Sequence, residues 1–264
     1  LNYRLAAVYH IAKQLSTKIM YGTSFNAPSS VQLYSNYLAP GGIVGNPDLK
    51  PERAKTLEWA IMGKISESIS FNTNLYYTNI DDKIEYLLPY GQISNITAKN
   101  VSNIYSAGVE AELNINISNN SSYLNYSYQR SILEKTDPLL DEIRLKTALY
   151  PSHLFKFGNT LHLNRYYTNI HVEGKYVSSR IASDQNSFIY DPINYNINRY
   201  ELNPYFILDL MISSTDLEIL TNSKTKFSLQ IKNLFDTEYS YPGFKNYDIP
   251  GLGRSYLLKI TQYI

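Results

Sequence analysis

Val109-Glu110-Ala111-Glu112-Leu113-Asn114-Ile115-Asn116-Ile117 carries an apolar side chain at every odd position and a polar one at every even position, Ala111 included among the apolar. Successive side chains of an extended strand point to opposite faces, so the stretch predicts a strand with one apolar and one polar side. Ser118-Asn119-Asn120-Ser121 follows, a turn composition, and then Leu124, Tyr126 and Tyr128 alternate with Asn125, Ser127 and Gln129. The two runs predict a hairpin.

The rhythm recurs on both sides. Ile69, Phe71, Leu75 and Tyr77 alternate with Ser68, Ser70, Asn72 and Asn74. Ile170, Val172 and Tyr176 oppose Asn169, His171, Glu173 and Lys175, and Phe227, Leu229 and Ile231 oppose Ser228, Gln230 and Lys232. About eleven strands are predicted, near 2–11, 17–25, 53–63, 68–80, 104–117, 122–133, 153–164, 167–178, 205–214, 225–233 and 254–264. One segment, 51–65, reads two ways. Proline at the first position with Leu57, Ile61 and Ile65 on one stripe fits a helix, while Leu57, Trp59 and Ile61 alternating with Thr56, Glu58 and Ala60 fit a strand.

The connections sort by length. Short ones lie near 13–16, 64–67, 118–121, 164–166 and 215–224, and long ones near 26–52, 81–103, 134–152, 179–204 and 237–253. Two-faced strands of about ten residues joined by alternating short and long connections predict an all-β fold, an antiparallel transmembrane β-barrel with tight periplasmic turns and long outer loops. Glu110, Glu112, Asn125 and Gln129 suit a wet lumen, since a dry core between two sheets would leave them unsolvated.

Composition narrows the function. Tyrosine accounts for 26 of 264 residues and tryptophan for 1, charged residues are 18% and the formal net charge is +1. There is no electrostatic footprint for nucleic acid. Cysteine is absent, which excludes disulfides, thiolate metal sites and a cysteine nucleophile. No serine lies in a nucleophile elbow, so no enzyme and no cofactor are expected. Apolar runs such as 5–9 and 205–208 are far shorter than the roughly 20 residues of a membrane-spanning helix, so any crossing is made by strands. The opening LNYRLAAVYHIAKQ is not expected to be a signal peptide.

GNPDLKPE, residues 45–52, sets Pro47 and Pro51 four apart. Each proline lacks an N–H and extends the residue before it, so the stretch reads as the end of a long loop and the launch of a strand. Here the sequence resembles the TonB-dependent outer-membrane receptors. Phe25-Asn26-Ala27-Pro28 with Leu33-Tyr34 looks like the family's Phe-Arg-Ala-Pro box, with Asn26 where arginine is usual. Asn46-Pro47-Asp48-Leu49-Lys50-Pro51-Glu52 with Glu58 looks like a second box. Asn233-Leu234-Phe235-Asp236 with Tyr239, then Pro250-Gly251 and Gly253-Arg254, looks like the family's ending, although Ile264 stands where an aromatic residue is usual.

The resemblance extends over the whole chain and implies a strand at 51–65. It implies a 22-stranded barrel around a plug, of which residues 1–264 would be a single partial domain, the C-terminal half. The plug, the energy-coupling segment that meets the TonB protein, the signal peptide and the earlier strands are expected outside this chain. Outer-membrane lipid would be its surroundings and an iron chelate, a ferric siderophore, its ligand. Haem or cobalamin is the alternative within the family, and a passive porin-like barrel or a soluble surface-adhesion β domain the alternative outside it. Haem receptors of the family typically carry a histidine between the first two boxes, and 29–45 contains none.

Ligand-facing candidates are the loop residues Tyr34, Tyr37, Tyr90, Tyr190, Tyr195 and Tyr241, with Tyr200 beside them, which offer flat area and a hydroxyl. Arg180 and Arg199 would pair with an anionic chelate. His162 and His171 would face each other across neighbouring strands if the turn between them is tight, a candidate metal pair, for which plain lining of a polar lumen is the blander reading. Asp81-Asp82 would help hold calcium in an outer loop, for which a solvated turn is the blander reading.

Overall fold

The computed structural model describes residues 1–36, 42–87, 96–137, 141–147, 149–182, 189–190, 197–198, 200–215, 217–220, 223–243 and 247–263. Eleven long strands carry the fold: β1 (Arg4–Ala12), β2 (Leu15–Asn26), β3 (Glu52–Ser66), β4 (Ile69–Leu87), β5 (Ile96–Ile117), β6 (Asn120–Asp137), β7 (His153–Leu163), β8 (Thr168–Val177), β9 (Tyr205–Ser214), β10 (Ser223–Lys232) and β11 (Ser255–Tyr263). Each pairs antiparallel with the next in one continuous sheet, and β1 and β11 stand at its two ends, so the sheet does not close. Among the described residues the one helix of more than three residues is α1 (Ser30–Tyr34).

Register turns the sequence alternation into two faces. One row across the sheet runs Met62, Asn72, Glu112, Asn125, Lys156, Lys175 and Ile207; the next runs Ile61, Thr73, Ala111, Tyr126, Phe155, Tyr176 and Phe206. The first is predominantly polar and the second predominantly apolar. A single sheet of this kind, with no second large sheet among the described residues, matches the barrel expectation rather than a sandwich.

The ambiguous segment 51–65 is a strand. Both edges of β3 are hydrogen-bonded, to β2 and to β4, and the Leu57 and Trp59 side chains are exposed while Thr56, Glu58 and Ala60 are more covered. A helix there would have broken both ladders. Two of the expected long loops are corrected, because 81–103 and 134–152 are largely strand. β4, β5 and β6 have 19, 22 and 18 residues, roughly twice the 9–11 that cross a bilayer. Beyond β6, Asp141–Lys146 folds back on Ile132–Asp137, and Ile43–Val44 adds to Ile96–Thr97 in parallel. Asp81-Asp82 is a bulge inside β4 and not a turn: Asp82 has φ 57°, the register slips between Ile80 and Lys83, and Asn100 Nδ2 donates to the Asp82 carbonyl at 2.6 Å. The extra residue is absorbed without ending the ladder.

Aromatic rings cover glycines on both faces. A Cβ at Gly158 would lie 2.3 Å from the Tyr123 ring, and one at Gly174 would lie 2.3 Å from the Phe157 ring. Tyr123 donates from its hydroxyl to Glu173 Oε2 at 2.5 Å. Phe157 reaches on to Phe206, with centroids 6.4 Å apart and planes 14° apart. The ring fills the space over the strand that a glycine leaves bare.

Candidate functional site

The long connections belong to one end of the sheet, and three groups of residues organise it. The first is the 26–52 connection. Ser29 caps α1, accepting from the Gln32 N–H at 3.3 Å while its own N–H donates to Gln32 Oε1 at 2.8 Å, a reciprocal capping box. The Asp48 N–H donates to Asn46 Oδ1 at 3.1 Å, the local turn expected of Asn-Pro-Asp. From there the loop is stitched to β5. Asn46 Nδ2 donates to the Ala98 carbonyl at 3.0 Å, the Lys50 N–H to Asn100 Oδ1 at 2.8 Å, and Asn100 Nδ2 to the Lys50 carbonyl at 2.9 Å. Leu49 is buried. Glu52 closes the clamp by accepting from the Ile84 N–H at 2.8 Å and from Asn26 Nδ2 at 2.9 Å. Asn26, standing where arginine is usual in the family, thus makes a neutral-donor bond to the carboxylate that ends the second box. Phe25 is exposed, and Ala27 and Pro28 carry the chain from β2 to the α1 cap.

The second group is the connection after β10. Asn233 is buried with φ 50°. Its Nδ2 donates to the Thr237 carbonyl at 2.9 Å and the Leu252 carbonyl at 3.2 Å, and its Oδ1 accepts from the Thr237 N–H at 2.9 Å. Its own N–H donates to Asp209 Oδ1 at 2.8 Å. The Leu234 N–H donates to the Leu208 carbonyl at 2.7 Å, and Asp236 Oδ1 accepts from the Arg254 N–H at 2.7 Å. One asparagine therefore ties both ends of a loop whose backbone would otherwise lack partners. The Gly251 N–H donates to the Tyr239 carbonyl at 2.7 Å, and a Cβ on Gly251 would sit 2.3 Å from the Tyr239 ring. A Cβ on Gly253 would lie 3.1 Å from Asp236 Oδ1.

The third group joins two connections. Tyr205, the first residue of β9 and on the polar face, is 6% exposed. The Tyr239 ring stacks on it, centroids 4.4 Å apart and planes 24° apart, and Tyr241 meets Tyr239 edge-on at 5.4 Å. Arg180 is 3% exposed; its Cζ lies 5.1 Å from the Tyr205 centroid and its Nη2 donates to the Ser240 carbonyl. Lys175 Nζ lies 5.9 Å from the same ring. A further tie is the Tyr200 hydroxyl, which donates to Asp248 Oδ2 at 2.5 Å. Burial, followed by the contact with the Tyr241 hydroxyl, pushes the Tyr239 phenol up to about 12. The Tyr239 hydroxyl is therefore neutral, and the Arg180 and Lys175 cations lie against the Tyr205 ring, an arrangement that holds flat or anionic groups. Beside it is a hollow of about 540 Å³ with Asn203, Pro204, Asp236, Tyr239, Ser240 and Gly251 in its wall.

Of the ligand candidates, Arg180 and Tyr241 come together. Tyr34 stands on α1, 71% exposed, with no ring contact to the cluster. Of Tyr190 the backbone is described, paired with Ile197. Tyr37, Tyr90, Tyr195 and Arg199 lie outside the described residues. Tyr205 and Lys175 read in the sequence as plain strand residues; their polar-face parity at the outer end of β8 and β9 is the signal that points to them. The facing histidine pair is corrected. His162 pairs with Asn169 and His171 with Thr160, because the turn holds a 3-10 step at Asn164–Tyr166 and a left-handed Tyr167, which offsets the two imidazoles by two residues. Each ring meets its own partner, His162 Nδ1 with Asn169 Oδ1 at 2.7 Å and His171 Nδ1 with Thr160 Oγ1 at 2.8 Å. Among the described residues no three His, Asp or Glu side chains gather as a metal site.

Residues 1–234 match the family model described as TonB dependent receptor-like, beta-barrel. Among curated proteins, the chain is 25% identical over 267 residues to the probable hemoglobin and hemoglobin-haptoglobin-binding protein 4 of Haemophilus influenzae, covering 90% of this chain and 25% of that protein. Among solved structures, the FrpB iron transporter from Neisseria meningitidis (F3-3 variant) superposes with a TM-score of 0.75 at 15% identity, over 99% of this chain and 39% of that one. The ferric-catecholate import receptor Fiu from K12 E. coli gives 0.74 at 19% identity, over 99% of this chain and 34% of that one. The chain thus spans between a quarter and two-fifths of the length of these relatives.

Proposed function

Because the chain belongs to the TonB-dependent receptor β-barrel family, we propose that the complete protein imports a ferric siderophore across the bacterial outer membrane. Proteins of this family are receptors and transporters of the outer membrane rather than enzymes. In this reading residues 1–264 supply barrel wall and five outer connections, while the plug, the segment that meets the TonB protein and the remaining strands come from the rest of the protein.

The observation that carries the reading is the place of the aromatic and cationic cluster. Tyr205 and Lys175 face inward on the polar side, and Tyr239, Tyr241 and Arg180 close over them from two outer connections. A large, flat, partly anionic chelate descending into a wet lumen meets such a surface first. No catalytic step is implied; binding outside and release inside are separated by the energy-driven plug.

The test is growth. Cells lacking the receptor and starved of iron, complemented with the complete gene, should grow on one class of ferric siderophore, and should stop growing on it when the TonB protein is removed. Equal growth on every iron source, with or without the gene, overturns the reading. Haemoglobin uptake is the second reading, favoured by the name of the curated relative; growth on haemoglobin but on no siderophore would select it. A passive pore would be indifferent to loss of the TonB protein.

A further inference from the structure

The apolar outward face ends at a definite height. Tyr77, Tyr128, Phe155, Tyr176 and Phe206 share that face, and each is eight residues from the short-turn end of its strand, at Ile69, Asn120, Leu163, Thr168 and Ser214 in turn. Eight residues at about 3.3 Å, tilted by about 40°, rise about 20 Å. Aromatic rings at one height on a lipid-facing wall mark a membrane interface.

Two residues further up, the same face turns basic on adjacent strands. Arg130 of β6 and His153 of β7 are each ten residues from those ends, a rise of about 25 Å, where the apolar band of a barrel stops. His153 pairs with Tyr128, so Arg130 is its diagonal neighbour, about 7–8 Å away on the same face. Both side chains are exposed. The Tyr126 hydroxyl meets His153 Nδ1 at 2.9 Å and the Tyr128 ring centroid is 5.0 Å from the imidazole. The imidazole is thus held by one nitrogen and offers the other, Nε2, outward. Other basic residues of this face are already matched: Lys55 Nζ bonds Asp81 Oδ2 at 3.0 Å, and Arg53 is opposite Asp81 in the ladder. The next acid on the outward face of β6, Glu134, is engaged by the Tyr105 hydroxyl. Among the described residues no ion pair includes Arg130.

An exposed guanidinium beside an imidazole with a free nitrogen matches the oxygens of a phosphate. The ledge of rings immediately below decides where that phosphate comes from, because acyl chains attached to it would run down Tyr126, Tyr128 and Phe155, whereas a soluble anion would gain nothing from them. We propose that Arg130 and His153 anchor a phosphorylated lipid headgroup of the outer leaflet. The inference rests on the barrel's place in the outer membrane and on no particular cargo, so growth results that refute siderophore import leave it standing.

The experiment uses the complete receptor, purified from outer membranes, as wild type, Arg130→Gln, His153→Phe, the double variant and Lys55→Gln, each checked for a folded barrel by its heat-modifiable gel mobility. Two probes are titrated in neutral detergent and counted by native mass spectrometry: an acylated glucosamine disaccharide bearing two phosphates, and the same lipid without them. One basic group near an anionic headgroup corresponds to about fivefold in affinity. The expected result is that Arg130→Gln and His153→Phe each weaken the phosphorylated lipid by about fivefold and the double variant by about 25-fold. Lys55→Gln, whose charge Asp81 already meets, should stay within about twofold, and the phosphate-free lipid should be indifferent to all four. Equal loss for both lipids, or a loss in Lys55→Gln as large as in Arg130→Gln, overturns the site. If the variants fail to fold, the wild type still decides, since no preference for the phosphorylated lipid overturns it. Displacement of the bound lipid by millimolar inorganic phosphate or by a polyglutamate peptide assigns the pair to another guest and overturns it as well.

Discussion

Two neighbouring rows of side chains cross the sheet, and they obey different chemistry although they share a backbone ladder. The inward row, Asn72, Glu112, Asn125, Lys156 and Lys175, is polar and carries charges of both signs; the outward row, Thr73, Ala111, Tyr126, Phe155, Tyr176 and Phe206, is predominantly apolar and aromatic. The backbone is satisfied by its neighbours in both cases, so only the surroundings of the side chains differ. Hydrocarbon penalises a charge, whereas a wet lumen barely registers one. The same substitution moved by one residue should therefore change its cost several-fold.

The largest effect comes from placing an arginine in each row. Ala111→Arg, which removes no packing, should cost about 2–4 kcal/mol, the range for a cation facing the bilayer midplane, while Asn125→Arg beside Glu112 should stay within about 1 kcal/mol. Urea titration of the complete receptor refolded into lipid vesicles measures both. Similar costs for the two variants would break the assignment of the faces.

Where the ladder ends, the two-row rule stops and single side chains take over. Asn233→Ala removes three side-chain hydrogen bonds and leaves alanine in the left-handed region at φ 50°, at an expected cost of about 2–3 kcal/mol. Asn233→Gly keeps the backbone conformation at no steric cost and should recover about 1 kcal/mol of that. Limited proteolysis between 233 and 254, together with the urea midpoint, separates a loosened connection from a weakened barrel.

That contrast also explains what the sequence makes legible. Eleven strands and the alternation of short and long connections can be read from Val109–Ile117 and its echoes because two solvents impose period 2. Above the bilayer one of those solvents is missing. Thr97-Ala98-Lys99-Asn100-Val101-Ser102 has no clean alternation, yet it pairs with Lys83–Leu87, so two strands are longer than the pattern shows. The offset of His162 from His171 depends on Tyr167 adopting a left-handed turn, for which tyrosine carries no signal. The meeting of Arg180, Tyr205 and Tyr239 joins residues 25 and 34 positions apart across two connections, and only the fold brings them together. By contrast the clamp at Glu52 and the knot at Asn233 are legible as motifs, because local turn chemistry demands proline, asparagine and glycine there.

Glycines under rings sharpen the comparison at smaller scale. Gly158 and Gly174 both lie under a ring that an added Cβ would approach to 2.3 Å, yet the rings are not equally free. Tyr123 over Gly158 is held by its bond to Glu173, and moving it leaves a carboxylate without that donor. Phe157 over Gly174 has no polar tie and swings toward lipid. Gly158→Ala should therefore cost about 1–2 kcal/mol and Gly174→Ala less than about 1 kcal/mol, within the range for overpacked sites. The Tyr123→Phe background should shrink the difference. If it does not, the hydroxyl bond is not what stiffens the inner ring.

The smallest effect is electrostatic and belongs to the mouth. Tyr239 ionises at about 12, above its ordinary 10.0, because burial against Tyr205 penalises the phenolate. A pKa raised in the folded state means that the folded protein holds the proton more tightly. This stabilisation is complete below pH 10 and is lost as the pH rises from 10 toward 12. The connection that carries Tyr239 should therefore loosen in that window while the strands, held by ladder bonds, do not. Tyrosine ring-carbon NMR of the labelled receptor should show a resonance titrating about two units late that is missing in Tyr239→Phe, and Tyr205→Ala should bring that resonance back toward 10 by uncovering the ring. If Tyr239 titrates with the exposed tyrosines in the wild type, the stacked pair is not closed in solution, and the mouth is an open rim instead of a seat.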